Sequence, residues 1–290
     1  MNKFFLEYIE RLKIVKTPED VIALYCWFWD KKDEIPQAIE AANREMGLNG
    51  QYELKPDLPC LSVGSMRGLL ILAANPSWNE FSNKIENDYC LTSQKNYCSV
   101  MSDFFELHPK VVKKRIRWWG KPISFIQLLP AWQQRFGQSK NSAEKWQNAH
   151  TSKLIGGWDL FPFHSESDGI TQLALNEKGP TWLKNCMKES LNAAFRLSPE
   201  IILVASKSGC ELTKKLLGPE VYWHEQVLSP QKKKTSVYYC RFSETTEIIA
   251  IPHQIFSAHR TFTNTEFFQA IDLMRTFSKQ ADPKNLRMHI

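Results

Sequence analysis

Short apolar runs alternate with longer amphipathic stretches along most of this chain. Residues 69–74, 201–205 and 248–251 are runs of Leu, Ile, Val and Ala, and each is followed by a polar turn. Such runs are typical of parallel strands that are buried on both faces. A further strand with its loop is predicted at 157–164. Because helical stretches separate the four strands, the pattern predicts an α/β fold with three α/β/α layers around a central four-stranded parallel sheet.

Helical periodicity dominates the N-terminal part of the chain. Pro18 opens one predicted helix, whose apolar residues recur at helical spacing. A second helix is predicted from Glu34 to Met46, where Gly47 ends it. We therefore expect an N-terminal helical extension over residues 1–57.

The remaining residues, 58–290, are predicted to form the α/β domain, with a large insertion at about 79–153. The pattern predicts four further elements in the C-terminal half. These are a helix within 173–197, a helix ending near Leu217, a hairpin formed by 221–228 and 236–242, and a closing helix over 264–277.

Composition narrows the class of protein. The 290 residues are 43% hydrophobic, which is enough for a sizeable core, and a net charge of +6 permits a nucleic-acid partner without requiring one. The seven cysteines include no Cys-x-x-Cys pair, so zinc ribbons and the usual iron–sulfur spacings are poorly supported. No other motif for a metal or a cofactor is present, and we expect neither. The odd cysteine count, the charged N-terminus and the lack of an apolar run near ~20 residues predict a cytoplasmic protein that does not cross a membrane.

Polar side chains follow the first and last of the predicted strands. Asn75 comes directly after the run 69–74, and His253 comes two residues after the run 248–251. Because carboxyl ends of parallel strands meet at one edge, we expect both to face one cleft. An amide that holds a water and an imidazole that stabilises a leaving anion suit cleavage of an N-glycosidic bond. The alternatives are an Asx turn before Pro76 and an ordinary loop histidine.

The ordered set of these motifs resembles the uracil-DNA glycosylase superfamily over about residues 65–270. That family has a four-stranded parallel sheet, a GQDPYH or GINPG motif after its first strand, and an HPSPLS or NPSGLS motif after its last. The segment 74–77, Ala-Asn-Pro-Ser, is similar to the Asn-Pro form of the first motif. The segment 252–257 is similar to a divergent second motif, with Gln254 where the family usually has Pro. The segment 159–165 resembles the middle segment of the family's pocket.

The resemblance implies two catalytic residues. Asn75 would position the attacking water through its side-chain carbonyl, and His253 would donate a hydrogen bond to O2 of the departing base. The small Ser77 stands where classical uracil enzymes have Tyr, which implies room for a substituent at C5 of the pyrimidine. Trp78 would otherwise refill that space.

The middle segment would complete the base pocket. Asp159 would accept a hydrogen bond from N4 of cytosine, or would act as a helix N-cap or a turn residue. Phe161 or Phe163 would stack on the extruded base, or both would pack in the core. His164 belongs to the same segment.

Two further groups of residues are expected to contact DNA. The loop after the last strand would insert a wedge and bind a flanking phosphate, unless its apolar residues are simply buried. The turn before the helix that ends near Leu217 would hold a phosphate at the helix N-terminus. The first group is Gln254, Ile255, Phe256, Ser257, His259 and Arg260, and the second is Ser206, Lys207 and Ser208.

These features predict a monomeric, monofunctional DNA glycosylase that acts on a modified pyrimidine in double-stranded DNA and leaves an abasic site. The superfamily that the chain resembles includes phage-defence enzymes that remove glucosylated hydroxymethylcytosine. Three alternatives stay open at this point. They are a uracil or mismatch repair glycosylase, a catalytically silent DNA-binding module of the same fold, and a hydrolase of free nucleosides.

Overall fold

A computed structural model describes most of the chain. The described residues are 2–74, 93–103, 122–136, 148–149, 151–167, 169–228, 235–252 and 264–280.

A seven-stranded mixed sheet forms the centre of the described structure. Its spatial order is β1-β3-β2-β4-β7-β6-β5. The neighbours β3, β2, β4 and β7 pair in parallel, and the remaining pairs are antiparallel. The strands are β1 (Ser62–Gly64), β2 (Leu69–Ala73), β3 (Ile155–Asp159), β4 (Ile201–Val204), β5 (His224–Leu228), β6 (Thr235–Arg241) and β7 (Glu247–Ala250).

The α/β prediction is confirmed, and the four predicted strands are the parallel ones. The predicted size of the sheet is wrong, because three antiparallel strands extend it. The predicted hairpin is β5 with β6, and it joins the sheet through the pairing of β6 with β7. Strand β1 has only three residues and adds to the far edge beside β3.

Both faces of the parallel strands are covered. Consecutive residues of a strand point to opposite faces, and all four residues of β4 are buried. The same holds for Leu69, Leu70, Ile71 and Leu72 of β2. This burial explains why the strands appear in the sequence as continuous apolar runs.

Several α-helices and short 3-10 segments surround the sheet within the described residues. The predicted helix start at Pro18 and the predicted end at Gly47 are confirmed. Thr17 and Asp20 form a capping box before the first, and Gly47 ends the second with φ +64°. The helices are α1 (Lys3–Ile14), α2 (Pro18–Asp30), α3 (Ile35–Met46), α4 (Gln94–Asp103), α5 (Pro130–Phe136), α6 (Gly169–Leu175), α7 (Thr181–Arg196), α8 (Lys207–Leu217) and α9 (Asn264–Gln280), and the 3-10 segments are Gly50–Tyr52 and Pro122–Leu128.

The N-terminal helices share the core of the α/β part. The ring of Phe5 lies 5.9 Å from the ring of Phe161 and 4.6 Å from that of Trp182, centroid to centroid. Arg196 of α7 donates to the Leu12 carbonyl at the end of α1 over 2.6 Å. The boundary near residue 57 stays a prediction, but the aromatic contacts make α1 part of the main core.

An ion pair holds the amino end of β7. Arg275 of α9 donates from Nε and Nη2 to Oε2 of Glu247, at 2.9 and 2.7 Å. The Tyr239 hydroxyl of β6 donates to the other carboxylate oxygen, Oε1, over 3.1 Å. Helix α9 and strand β6 therefore converge on the first residue of β7.

No helix in the described ranges is long and apolar enough to span a membrane.

Truncation of the central aromatic ring of α1 tests whether that helix belongs to the main core. We expect Phe5→Ala to lower the free energy of unfolding by about 3–5 kcal/mol, because the fully buried ring leaves a cavity among aromatic neighbours. Leu6→Ala is the matched control, since Leu6 is next in the same helix and 40% exposed. Guanidinium denaturation measures both. Equal and small losses in the two variants would show that α1 is peripheral to the core.

Candidate functional site

The chain order of the parallel strands reverses at one point of the sheet. From β2 the chain passes to β3 on one side, and it then returns to β4 on the other side of β2. In open α/β sheets, ligands bind outside the carboxyl ends of the strands at such a reversal. The crevice beyond the ends of β2 and β4 is therefore the candidate site.

Backbone hydrogen bonds continue the strands to the rim of this crevice. The Phe161 amide donates to the Ala74 carbonyl over 2.9 Å, and the Ile251 amide donates to the Val204 carbonyl over 2.8 Å. Ala74 and Pro252 are the last described residues at the ends of β2 and β7. The parallel register aligns Leu72 with Val204 and Val204 with Ala250, so these ends lie at one edge.

Most of the predicted catalytic and DNA-wedge residues lie outside the described residues. Asn75 comes directly after Ala74 in the chain, and His253 comes directly after Pro252. The predicted residues in this group are Asn75, Ser77, Trp78, His253, Gln254, Ile255, Phe256, Ser257, His259 and Arg260.

Phe161 and Phe163 belong to the aromatic core. Both rings are fully buried, and each lies within 6 Å of the Phe5 ring, at 5.9 and 5.6 Å between centroids. A ring enclosed in this way offers no face to an extruded base. This burial favours the core-packing alternative for both residues, because α1 covers their hydrophobic surface.

Asp159 and His164 have different surroundings. Asp159 ends β3 directly beside Ala73 of β2, and its side chain is half-buried at the carboxyl edge. Its amide donates to the Leu61 carbonyl over 2.7 Å, which fixes the backbone there. His164 is buried in the loop after β3, where its carbonyl accepts from the Lys55 amide over 2.9 Å. Asp159 therefore lies next to the crevice, whereas burial does not favour a pocket role for His164.

The turn after β4 forms the N-terminus of α8. Ser206 is the N-cap residue, and its Oγ accepts from the Gly209 amide over 2.9 Å. A Cβ at Gly209 would lie 2.6 Å from that oxygen, so the close approach needs glycine. Lys207 is exposed and Ser208 half-buried in the first turn, where unpaired amides and the helix dipole favour an anion. The predicted phosphate-binding turn thus borders the candidate site.

Sequence reasoning missed a cleft that starts at the same edge. Its volume is about 340 Å³, and it runs between α8 and β6. The only sequence signal was the spacing of three to four residues between polar positions of α8. The lining residues are Lys207, Cys210, Glu211, Lys214, Thr235, Ser236, Tyr238 and Pro252.

Lys214 is the half-buried cation of this cleft. Its Nζ lies 2.8 Å from the centroid of the Tyr238 ring and 5.5 Å from that of Trp223. Burial lowers the pKa of Lys214, and the aromatic faces compensate part of the lost hydration. Burial also raises the pKa of Cys210 to about 12, so its thiol is protonated and unreactive at neutral pH.

Within the described ranges, no group of three or more His, Cys, Asp or Glu side chains is arranged to hold a metal ion. No protein-family model, curated protein or solved structure was found to match this chain.

Removal of the cap at the start of α8 tests how that turn is held. We expect Ser206→Ala to lower the free energy of unfolding by about 0.5–2 kcal/mol, because the Gly209 amide loses its acceptor. Ser206→Asp should retain most of the stability, since a carboxylate caps equally well and suits the helix dipole. Thermal denaturation of both variants and of Ser208→Ala gives the comparison. A loss as large in Ser208→Ala would contradict the capping role.

Proposed function

We propose that the protein is a monofunctional DNA glycosylase of the uracil-DNA glycosylase type, with three α/β/α layers around its four parallel strands. It hydrolyses the N-glycosidic bond of a modified pyrimidine in double-stranded DNA and leaves an abasic site. The observation that carries the proposal is the parallel edge. Asn75 follows the strand at the reversal point, and His253 follows another strand that ends at that edge.

The proposed chemistry needs little from the protein beyond placement and charge stabilisation. The bond breaks toward an oxocarbenium-like sugar and an anionic base, and water then attacks the sugar carbon. Asn75 holds that water through its side-chain carbonyl, and His253 donates to O2 of the base as negative charge develops there. An amide is sufficient because the base has largely departed before water attacks. No lysine nucleophile takes part, so the DNA strand stays intact.

The edge also supports a preference for a cytosine-like base. Asp159 pairs with Ala73, and Ala73 lies two positions before Asn75 in the chain. A carboxylate such as that of Asp159 accepts a hydrogen bond from the exocyclic amine of cytosine. Ser77 leaves room for a group at C5, as in glucosylated hydroxymethylcytosine. Because Phe161 and Phe163 are buried, any aromatic stacking partner for the base must come from another segment, and Trp78 is the proposed one.

The N-terminus of α8 supports contact with the DNA backbone. It borders the reversal point and combines the Lys207 ammonium with the helix dipole. The adjoining cleft adds the Lys214 ammonium and the hydroxyls of Thr235 and Ser236. This surface would hold phosphates beside the flipped nucleotide in a monomeric, cytoplasmic enzyme.

Formation of alkali-labile sites tests the activity and identifies the base. The duplexes contain uracil, a thymine mismatch, hydroxymethylcytosine or glucosylated hydroxymethylcytosine. We expect release from the glucosylated substrate, loss of release in Asn75→Ala, and a single-turnover rate roughly 10²–10³ lower in His253→Ala. DNA binding should be nearly unchanged in Asn75→Ala, and circular dichroism verifies that both variants fold.

Other outcomes of this assay separate the alternatives. Release of uracil or mismatched thymine alone would indicate a repair glycosylase. Binding without release from any duplex would favour the silent DNA-binding module, which the replacement of Pro by Gln254 in the second motif also suggests. Release only from free nucleosides would indicate a small-molecule hydrolase.

Neutralisation of Lys207 tests the proposed phosphate contact. We expect Lys207→Gln to weaken DNA binding about threefold to tenfold at 0.1 M salt, and to reduce the slope of log K against log salt by about 0.9. Lys188→Gln is the matched control, because Lys188 is an exposed lysine of α7 that does not line the cleft. Fluorescence anisotropy at several salt concentrations measures both. Identical slopes in the two variants would remove Lys207 from the interface.

A further inference from the structure

Two cysteines that are distant in the sequence lie in contact between α2 and α4. The Sγ atoms of Cys26 and Cys98 are 3.2 Å apart, although 72 positions separate the residues. Cys26 is half-buried, whereas Cys98 is buried. The other described cysteines are buried. Cys26 is therefore the described thiol that a small oxidant in solution reaches most easily.

The packing of α4 against α2 fixes this contact. The rings of Tyr25 and Tyr97, each adjacent in the chain to one cysteine, meet edge to face with centroids 5.3 Å apart. The Tyr97 hydroxyl donates to the Pro59 carbonyl over 2.6 Å. The side-chain amide of Gln94 donates to Oδ1 of Asp30 over 3.3 Å. The packing of α4 against α2 and against Pro59 through these three contacts therefore holds the two sulfurs close together.

We propose that Cys26 and Cys98 form a reversible oxidation site that closes to a disulfide when the protein meets a peroxide. The Cys26 thiolate attacks one peroxide oxygen and becomes a sulfenic acid as the O–O bond breaks. The other oxygen leaves as hydroxide, which takes up the proton that the Cys26 thiol had released and becomes water. The Cys98 sulfur then attacks the sulfenic sulfur, the S–O bond breaks, and the hydroxyl leaves as water with the Cys98 proton. Two thiols are oxidised by two electrons and one hydrogen peroxide is reduced to two waters.

The environment assigns different roles to the two thiols. Burial, the contact with Cys26 and the nearby Asp30 raise the pKa of Cys98 to about 12. Cys98 is therefore a poor first nucleophile, and it acts as the resolving thiol once Cys26 carries the oxygen. Its fixed proximity compensates for its low thiolate fraction. Closure needs an approach of only ~1.2 Å, since a disulfide bond is about 2.05 Å long.

Closure would join an N-terminal helix to the predicted insertion. Helix α4 is the first described element after Ala74, and the segment 75–92 precedes it in the chain. That segment contains Asn75, Ser77 and Trp78. The oxidation site therefore lies on the described helix that follows the segment with the proposed catalytic Asn75, although its existence does not depend on the proposed function.

Peptide mapping of the full chain tests the site directly. The protein is treated with hydrogen peroxide, alkylated with N-ethylmaleimide and digested with trypsin without reductant. Cys26 and Cys98 are the single cysteines of tryptic peptides 17–31 and 96–110, while Cys90 lies in the separate peptide 85–95. We expect a linked species of 17–31 with 96–110 that disappears after dithiothreitol.

Matched variants and thermal unfolding complete the test. Cys26→Ser and Cys98→Ser should each abolish the linked species, and Cys60→Ala should retain it, because Cys60 has the same 9% exposure as Cys98. Oxidation should raise the unfolding midpoint of the wild type by roughly 5–10 °C, and should not raise that of Cys26→Ser. Sulfinic or sulfonic acid at Cys26 with Cys98 still alkylated, or a link from either thiol to Cys90, would overturn the proposal.

Discussion

The position of β2 between β3 and β4 is the constraint on which the rest of the structure depends. The four apolar residues at its start are buried on both faces, so its backbone groups must pair with strands on both sides. The registers of β2, β4 and β7 then bring the ends of these strands to one edge. The crevice, the N-terminus of α8 and the cleft beside β6 are all located relative to that edge.

The parallel strands could be predicted because burial on both faces leaves a continuous apolar run in the sequence. The antiparallel additions leave no such signal. Strand β1 is only Ser-Val-Gly and is defined by its pairing with β3. Strands β5 and β6 alternate in burial and were predicted as a hairpin, but their attachment to β7 depends on tertiary contacts. Local pattern therefore predicted the elements better than the size of the sheet.

Some features of the candidate site could likewise be predicted from the sequence, and others could not. Its location at the carboxyl edge, and the capped helix at Ser206, follow from local features that a sequence displays. The burial of Phe161 and Phe163 could not be predicted from local features. The sequence pattern of an aromatic residue after a strand is the same whether its ring contacts a ligand or a core residue such as Phe5. The cleft and the Cys26–Cys98 contact were missed for a related reason. Each is formed by elements that are distant in the chain, and the sequence of one element does not indicate which other element it contacts.

The aromatic contacts of α1 also have a consequence for how the chain is made. Phe5 is synthesised before its partners, and Phe161 and Trp182 follow it by more than half of the 290 residues. Arg196, which donates to the Leu12 carbonyl, follows Leu12 in the chain by 184 positions. Until then the apolar face of α1 has none of these partners, and closing such distant contacts is slow. Helix α1 therefore gains these contacts only after the chain has been synthesised through Arg196.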